Sequence, residues 1–363
     1  MKDKKYKTYV GADLHKSMTY FIAQDRAGKE LASRKIANRG DHIRDFLGQL
    51  PQPVKTVIES TGNWEWFCEE LKAGGYDVMV AHANEVRARS DSRDKSDRKD
   101  ARLLASLLRG NLIEKESWQA PEPVRQIRER LRYMQMQNRA KTAHKNRIHS
   151  ILIRLNIKSP RKDAFCKSGR LFLRSLDIGA EYKTSMERSL ALIELIEKDQ
   201  QEDKEFCERL AREDELVWLL STIPGVGAQL ACMIRYETGD AARFERVEQY
   251  VSHTGLVPGK RQSSDSSHDI GITKEGSFWL RWAFVQAAQT ADRQTGRLSR
   301  FYWKQMRKGG KRGKAIVATA REIAVIAYCI MTRHQGYFEP LALSPHIKRQ
   351  KNERKTTLPR KRA

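Results

Sequence analysis

The stretch Tyr9-Val10-Gly11-Ala12-Asp13 is an apolar run that ends in an acid. A second run of the same kind, Val54-Lys55-Thr56-Val57-Ile58-Glu59, also ends in an acid. Composition of this type predicts β-strands. If the two strands are neighbours in one sheet, Asp13 and Glu59 can lie together at its edge.

Two further acids occur in Ser96-Asp97-Arg98-Lys99-Asp100-Ala101-Arg102. Ser96 is a suitable N-cap for a helix that runs to about residue 109, because its hydroxyl can accept a hydrogen bond from an amide of the first turn. Asp97 and Asp100 are three residues apart, so they would share one face of that helix. The stretch therefore predicts a pair of carboxylates directed at one place.

The register of this pair is open on spacing alone. Asp91 and Asp94 continue the same repeat of three residues. Only the helix cap at Ser96 favours Asp97 and Asp100 over the earlier acids.

Four carboxylates gathered at one place would oppose one another's ionisation unless a cation lay between them. Mg²⁺ prefers oxygen ligands, and two such ions about 4 Å apart can activate an attacking oxygen and stabilise a leaving one. We therefore predict Mg²⁺ bound by Asp13, Glu59, Asp97 and Asp100. The alternative for any one aspartate is a surface ion pair, which applies least to Asp13 and Glu59 because both end apolar strands.

Residues 1–115 predict an α/β domain. A meander of three strands is expected within residues 7–37, and the elements after it alternate: a helix at 40–50, the strand 54–59, a helix at 63–74 and a strand at 76–80. Strands first, and then strands alternating with helices, predict a mixed sheet with helices packed on it.

The charge of the chain indicates a polyanionic partner. Lysine and arginine total 69 against 45 acidic residues, a net charge of +24. Nucleic acid is the leading candidate, although charge does not separate DNA from RNA. We expect no membrane segment, because no stretch reaches roughly 18 consecutive apolar residues. The five cysteines lack CxxC spacing, which predicts reduced thiols in a cytoplasmic protein.

Residues 116–215 predict two long helices of opposite charge. Residues 121–160 hold ten basic and two acidic residues, whereas residues 184–215 hold five basic and eleven acidic ones. Opposite charge favours pairing, either in an antiparallel hairpin or across a dimer. Apolar steps of three and four predict a coiled-coil seam in the first helix, at Val124, Ile127, Leu131, Met134, Ile148, Leu152 and Leu155. Three polar residues interrupt the seam, so it could open at Asn138, Lys141 and Lys145.

Residues 216–345 predict a mainly helical domain with possible contacts to nucleic acid. The turn Ile223-Pro224-Gly225-Val226-Gly227 is similar to a helix-hairpin-helix turn, in which glycines let amides approach a phosphate. An ordinary glycine-rich connector is the alternative. A second glycine-rich segment could clamp a nucleic-acid backbone through Lys311, Arg312 and Lys314. Residues 346–363 predict a disordered basic tail.

Two other segments of this domain have competing interpretations. Four of the residues from 263 to 267 are serines, which predicts a solvated loop but leaves a serine nucleophile possible. Lys260, Arg261 and Lys274 would attract a phosphate to that segment. Phe301-Tyr302-Trp303 lies in a helical pattern that favours core packing over base stacking.

Together these motifs resemble the DEDD-type insertion-sequence transposases. The N-terminal resemblance rests on residues 10–16, 58–62 and 96–102, and the C-terminal one on residues 223–227, 255–258 and 272–276. The motifs follow the family order over nearly the whole chain. The resemblance implies an RNase H-like N-terminal domain, similar to Holliday-junction resolvases, with Asp13, Glu59, Asp97 and Asp100 as the metal-binding tetrad.

The resemblance also implies a serine nucleophile. In this family it lies five positions beyond the proline of the Gly-Leu-x-Pro segment, which is Ser263 in this chain. The family usually has glycine near that position, whereas this chain has Ser264 and Asp265. The choice between Ser263 and Ser264 therefore stays open.

The activity implied is Mg²⁺-dependent cutting and rejoining of DNA through a phosphoserine, by a cytoplasmic, nucleoid-associated dimer or tetramer. The family includes recombinases guided by a structured RNA and invertases related to pilin-gene inversion, so a guide RNA and DNA inversion are both implied. The rivals are a metal-dependent Holliday-junction-type nuclease, in which water attacks, and a non-catalytic nucleic-acid-binding protein.

Overall fold

A computed structural model describes residues 5–60, 62–88, 96–114, 116–263, 266–309 and 311–338. It describes the backbone alone at residues 84, 87, 88 and 260–270. The chain forms two compact units, Met1–Pro121 and Glu122–Ala363.

The N-terminal unit is built on a five-stranded mixed sheet. Its elements are β1 (Thr8–Leu14), β2 (Met18–Asp25), β3 (Glu30–Ala37), α1 (Gly40–Gly48), β4 (Val54–Glu59), α2 (Trp64–Ala73), β5 (Asp77–Ala81), α3 (Ala83–Ala88) and α4 (Asp97–Arg109). The strand order is β3-β2-β1-β4-β5. β2 is antiparallel to β1 and β3, whereas β4 is parallel to β1 and β5. The predicted mixed sheet is thus confirmed.

Helices cover both faces of the central strand β1. Val10, Ala12 and Leu14 belong to the apolar cluster that includes residues of α1 and α2. Tyr9 belongs to a second cluster, with Leu104 and Leu108 of α4. A strand buried on both faces has a continuous apolar sequence rather than an alternating one, which explains the run at residues 9–12.

α4 packs against β1 at Gly11. A Cβ atom on Gly11 would lie 2.0 Å from the carbonyl oxygen of Ala101 and 2.4 Å from the amide nitrogen of Ala105. The missing side chain therefore lets the helix backbone lie directly on the strand. This close approach places the first turn of α4 near the carboxyl end of β1.

The C-terminal unit is mainly helical, as predicted. Its elements are α5 (Glu122–Arg154), α6 (Lys167–Ser175), α7 (Ala180–Glu213), α8 (Glu215–Ser221), α9 (Ala228–Thr238), a short 3₁₀ helix (Ala241–Arg243), α10 (Val247–His253), β6 (Pro258–Ser263), β7 (Ser266–Ile272), α11 (Phe278–Ala288), α12 (Arg297–Gly309) and α13 (Arg312–Arg333). The prediction of a solvated loop around residue 263 is wrong at the level of the backbone. β6 and β7 pair there as an antiparallel hairpin, whose ladder satisfies the main chain despite the serine-rich composition.

The two long helices α5 and α7 pair within this chain. Arg130 contacts Asp203 at 3.1 Å, and Gln137 contacts Asp199 at 2.9 Å. Further along α5, Arg147 lies 3.4 Å from Ser185. The partners run backwards along α7, so the pair is antiparallel, which was one of the two arrangements expected from the opposite charges.

The polar interruption of the α5 seam is closed. The side-chain amide of Gln200 donates to Asn138 at 2.6 Å, and Lys141 also contacts Gln200. On either side of this contact, Leu131 and Ile148 are completely buried. The seam is thus closed at Asn138 and Lys141 in this structure, because Gln200 on α7 contacts both side chains.

Within the described residues, α13 is long and apolar enough to cross a membrane by length and composition alone. However, 56% of its most apolar segment is buried inside the structure. Ile323, Ala324 and Ala327 belong to the main core of the C-terminal unit. α13 therefore has the burial of a core helix.

Candidate metal centre

Two of the predicted acids lie at one edge of the N-terminal sheet. Ala12 of β1 pairs with Ile58 of β4 in a parallel ladder. Asp13 and Glu59 are the next residues along these strands. Because the strands are parallel, both acids are located at the same end of the sheet, as the sequence predicted.

His15 lies between Asp13 and Asp97 and contacts both carboxylates. The Nε2 atom of His15 lies 3.1 Å from Oδ2 of Asp13 and 3.3 Å from Oδ1 of Asp97. One ligand atom of each of these three residues lies within 4.8 Å of the other two. Two carboxylates and an imidazole at this separation could bind one divalent cation.

The electrostatics of Asp13 favour a cation at this place. Burial raises the pKa of Asp13, and the charges of Asp100 and Asp97 raise it further, against an opposing effect of His15. Asp100 is thus near enough to act on Asp13, as expected if it shares a face of α4 with Asp97. Crowded, half-buried carboxylates are the donor set that Mg²⁺ prefers, so these residues fit a divalent cation.

A lysine and a histidine contact the carboxylate of Asp97. The Nζ atom of Lys35, from β3, lies 3.1 Å from Oδ2 of Asp97. This hydrogen bond is the main cause that lowers the pKa of Asp97, and the charge of His15 lowers it further. Asp97 is therefore held in its ionised form.

Neither His15 nor Lys35 is among the site residues predicted from the sequence. His15 is two residues beyond Asp13, and the two-residue period of an extended chain places both on one side, so its contribution could have been inferred. Lys35 lies on β3, which is separated from β1 by β2 in the sheet. Only the strand order brings it to Asp97.

The helix cap at Ser96 positions Asp97 and is confirmed. The Ser96 hydroxyl accepts a hydrogen bond from the Lys99 amide at 3.3 Å. We expect Ser96→Ala to lower the free energy of unfolding by about 1 kcal/mol, because a first-turn amide loses its acceptor. Thermal or urea unfolding measures this change. Ser17→Ala, at an exposed position, is the control, and equal stability of the two variants would contradict the capping role.

The predicted nucleophile belongs to the C-terminal unit. Ser263 is the last residue of β6, and it pairs with Ser266 at the end of the hairpin. Lys260 pairs with Asp269 and Arg261 with His268 in the same ladder. These are backbone placements, since the side chains of 260–263 are outside the described part of the chain. Ser264, Asp91, Asp94 and the predicted tail at 346–363 also lie outside it.

The glycines of the turn between α8 and α9 differ in their surroundings. Gly225 has φ +87°, and a Cβ atom there would lie 2.5 Å from the Ala287 carbonyl oxygen. Gly225 thus allows the turn to pack on α11. Gly227 is the N-cap residue of α9, and a Cβ atom there would meet open space.

The remaining predicted contact residues are also described. Lys274 is exposed, and its carbonyl accepts a hydrogen bond from Arg281 at 3.0 Å. Lys311 and Lys314 are exposed at the start of α13, where Arg312 lies 3.6 Å from Asp292. Their binding of nucleic acid stays a prediction.

Two family models match this chain, each over one of the regions that contain the predicted motifs. The DEDD transposase model named for IS110 matches residues 10–157, which include all four acids. A model described as the transposase IS116/IS110/IS902 family matches residues 218–303, which include Ser263. The two segments together cover more than half of the chain. The chain belongs to the IS110/IS116 family of insertion-sequence transposases.

Two relatives of this transposase span nearly its whole length. The transposase for insertion sequence element IS1328 of Yersinia enterocolitica is 25% identical over 340 residues, 90% of this chain and 97% of the relative. The transposase for IS1111A of Coxiella burnetii is 24% identical over 343 residues, 90% of each chain. A 44.8 kDa protein of insertion element IS116 from Streptomyces clavuligerus is 27% identical over 149 residues, 41% of this chain and 37% of the relative.

Proposed function

We propose that this transposase cuts and rejoins DNA through a Mg²⁺-dependent phosphoserine intermediate. The observation that supports it most directly is the cluster of Asp13, His15 and Asp97, with ligand atoms within 4.8 Å of one another and Asp100 close enough to raise the pKa of Asp13. Carboxylates so placed are suited to metal-assisted phosphodiester chemistry.

We assign the N-terminal unit to the RNase H-like class. In its favour are the strand order β3-β2-β1-β4-β5, the antiparallel β1–β3 meander and the parallel β4 and β5. α4 packs on β1 and brings its first-turn acids to the carboxyl end of that strand. We keep the predicted domains 1–115, 116–215 and 216–345, with a coiled-coil middle domain and a basic tail, as proposals.

In the proposed mechanism Asp13, Glu59, Asp97 and Asp100 hold Mg²⁺. When bound, the metal supplies positive charge that stabilises the phosphate oxygens of the transition state. Lys35 and His15 keep Asp97 ionised and in place. Ser263 would form a bond to phosphorus as one phosphoester bond of the DNA breaks, so that the serine hydroxyl gives up a proton and the departing DNA oxygen takes one up to become a free hydroxyl. A DNA hydroxyl then displaces Ser263, so bond energy is conserved without ATP.

Partners follow from the same proposal. Strand exchange between two DNA duplexes needs more than one serine, so we propose a homodimer or homotetramer. We propose DNA as the substrate and a structured RNA as guide, with backbone contacts from Lys260, Arg261 and Lys274, from Gly225 and Gly227, and from Lys311, Arg312 and Lys314. The site of action would be the nucleoid.

The test is covalent capture of DNA in Mg²⁺. We expect wild-type protein to form a protein–DNA adduct on DNA that carries the element's ends, and Ser263→Ala to lose it while DNA binding persists. Denaturing gel electrophoresis with labelled DNA measures both outcomes. Ser264→Ala is the matched variant and should retain the adduct.

The outcome separates the rival functions. Adduct formation by Ser263→Ala with its loss in Ser264→Ala would move the nucleophile by one residue. Free DNA ends without any adduct in the wild type would contradict the phosphoserine and support a Holliday-junction-type nuclease. Inversion of a segment between two sites, without its excision, would identify a DNA invertase.

A further inference from the structure

The segment from Arg293 to Lys314, in the C-terminal unit, is strongly basic. It holds nine lysine or arginine residues and no acidic residue. It comprises α12 with the residues on either side of it. A helix of this composition attracts a polyanion if its cations share one surface.

Helical geometry places the cations of α12 on one face. The exposed residues follow steps of three and four, which define a single face, and they are Arg297, Arg300, Trp303, Lys304, Arg307 and Lys308. We call this set the α12 face. The opposite side of α12 is anchored in the core by Leu298, 1% exposed, and Tyr302, 3% exposed.

Part of this charge is paired within the protein. Arg297 forms an ion pair with Glu322 of α13. In the part of the chain that the structure describes, Lys304, Arg307 and Lys308 have no carboxylate within ion-pair distance. The α12 face is therefore positively charged at its centre and at its C-terminal end.

The same face exposes a tryptophan. Trp303 is 47% exposed, and its ring meets the Tyr302 ring edge-on at 5.3 Å. The prediction that the 301–303 cluster packs in the core is thus correct for Tyr302 and wrong for Trp303, because consecutive helical residues point in different directions. An exposed aromatic ring between cations is the combination on which bases of unpaired nucleic acid stack.

The chemistry of this face fits an unpaired nucleic-acid strand better than a duplex. Cations can contact phosphates of either, but an indole ring can stack only on a base that has left its own stack. The cations from Arg300 to Lys308 span about 12 Å along the helix, so they can contact more than one phosphate of a strand.

We propose that the α12 face binds an unpaired DNA strand, with Trp303 stacked on a base and Lys304, Arg307 and Lys308 on phosphates. The choice of DNA rests on the proposed function, since a cut strand must leave its duplex before it can be rejoined elsewhere. The face would hold that strand between the two steps.

Binding of labelled oligo-dT and of a duplex of equal length by the full-length protein tests the stacking. We expect Trp303→Ala to weaken oligo-dT binding at least about fivefold and to leave duplex binding unchanged, and Trp303→Phe to retain most of the affinity. Trp218→Ala, which removes a tryptophan 58% exposed on α8, is the control and should bind as wild type. Fluorescence anisotropy in EDTA measures all four proteins without cleavage.

The charges are tested by salt dependence. Lys304→Ala should reduce the slope of log affinity against log salt by about 0.7 for oligo-dT. Lys198→Ala, an exposed lysine on the acidic helix α7, should leave that slope unchanged. Equal slopes for the two variants would contradict phosphate contact at Lys304.

Three results would overturn the proposal: unchanged oligo-dT binding in Trp303→Ala, an equal loss on duplex DNA, or tighter binding of oligo-rU than of oligo-dT. The binding assay needs no metal, so a negative result in it would refute the strand-binding face without bearing on the proposed cleavage mechanism. Loss of oligo-dT binding in Trp303→Ala together with an absent serine adduct would refute the phosphoserine mechanism and leave the strand-binding face standing.

Discussion

Replacing Asp13 by asparagine is expected to reduce Mg²⁺-dependent DNA cleavage about a thousandfold or more. Metal ions contribute several kcal/mol to the stabilisation of a phosphoryl transition state, and each 1.36 kcal/mol is a factor of ten in rate. Asp13 is the acid nearest the centre of the cluster, within 3.1 Å of His15 and close to Asp97 and Asp100. Single-turnover cleavage of labelled DNA measures the loss.

The same substitution should not destabilise the metal-free protein. Burial and the neighbouring acids already oppose the negative charge of Asp13, so the neutral, isosteric asparagine removes a repulsion. Mg²⁺ should raise the melting temperature of the wild type by mass action and leave that of Asp13→Asn unchanged. Asp45→Asn, at an exposed position of α1, is the control and should behave as wild type in both assays.

Two observations would refute the metal role of Asp13. One is full cleavage activity of the wild type in EDTA. The other is an equal Mg²⁺-induced rise in melting temperature for wild type and Asp13→Asn. A loss of activity that accompanied unfolding would be a structural effect, and the unfolding measurement separates that case.

Replacing Gly11 by alanine is expected to destabilise the N-terminal unit by at least about 3 kcal/mol, the upper range for overpacking of a core. The added Cβ atom would lie 2.0 Å from the Ala101 carbonyl oxygen and 2.4 Å from the Ala105 amide nitrogen. Both atoms are backbone, so no side-chain rotation relieves the overlap, and α4 must move away from β1. Urea unfolding measures the loss of stability.

Movement of α4 also has a consequence for the site. Asp97 and Asp100 are in the first turn of this helix, whereas Asp13 is on the strand it leaves. Gly11→Ala should therefore weaken Mg²⁺ binding as well as stability. Gly62→Ala makes the same chemical change where a Cβ atom meets open space, and it should leave both unchanged. A Gly11→Ala protein as stable as wild type would contradict the close approach of α4.

Local sequence patterns correctly predicted most strands and helices that are described above. The run at residues 9–12 lies in a strand that is buried on both faces, which explains its continuous apolar sequence, and the run at 54–59 forms the parallel strand beside it. The start of α4 followed from Ser96, since a cap acts within one turn. The mainly helical character of the C-terminal unit and the opposite charges of α5 and α7 were equally visible.

The sequence was less informative about the direction of individual side chains and about partners that are distant along the chain. The 301–303 cluster has a helical pattern, but only the packing against α13 shows that Tyr302 is buried and Trp303 exposed. The serine-rich segment forms a hairpin because its backbone finds a partner in β7, which composition does not reveal. Two polar positions of the α5 seam, Asn138 and Lys141, are contacted by Gln200, which is 62 positions away from Asn138.

For the acids themselves, the sequence alone was enough to select the residue types and their positions at strand ends and on one helix face, because strand and helix periods are local properties. Their convergence is a property of the folded chain. Parallel pairing of β1 with β4 brings Asp13 and Glu59 to one end of the sheet, and the contact of α4 with Gly11 brings Asp97 within reach of His15. Lys35 arrives from β3 by strand order alone, since pairing across a sheet joins residues that no short-range pattern connects.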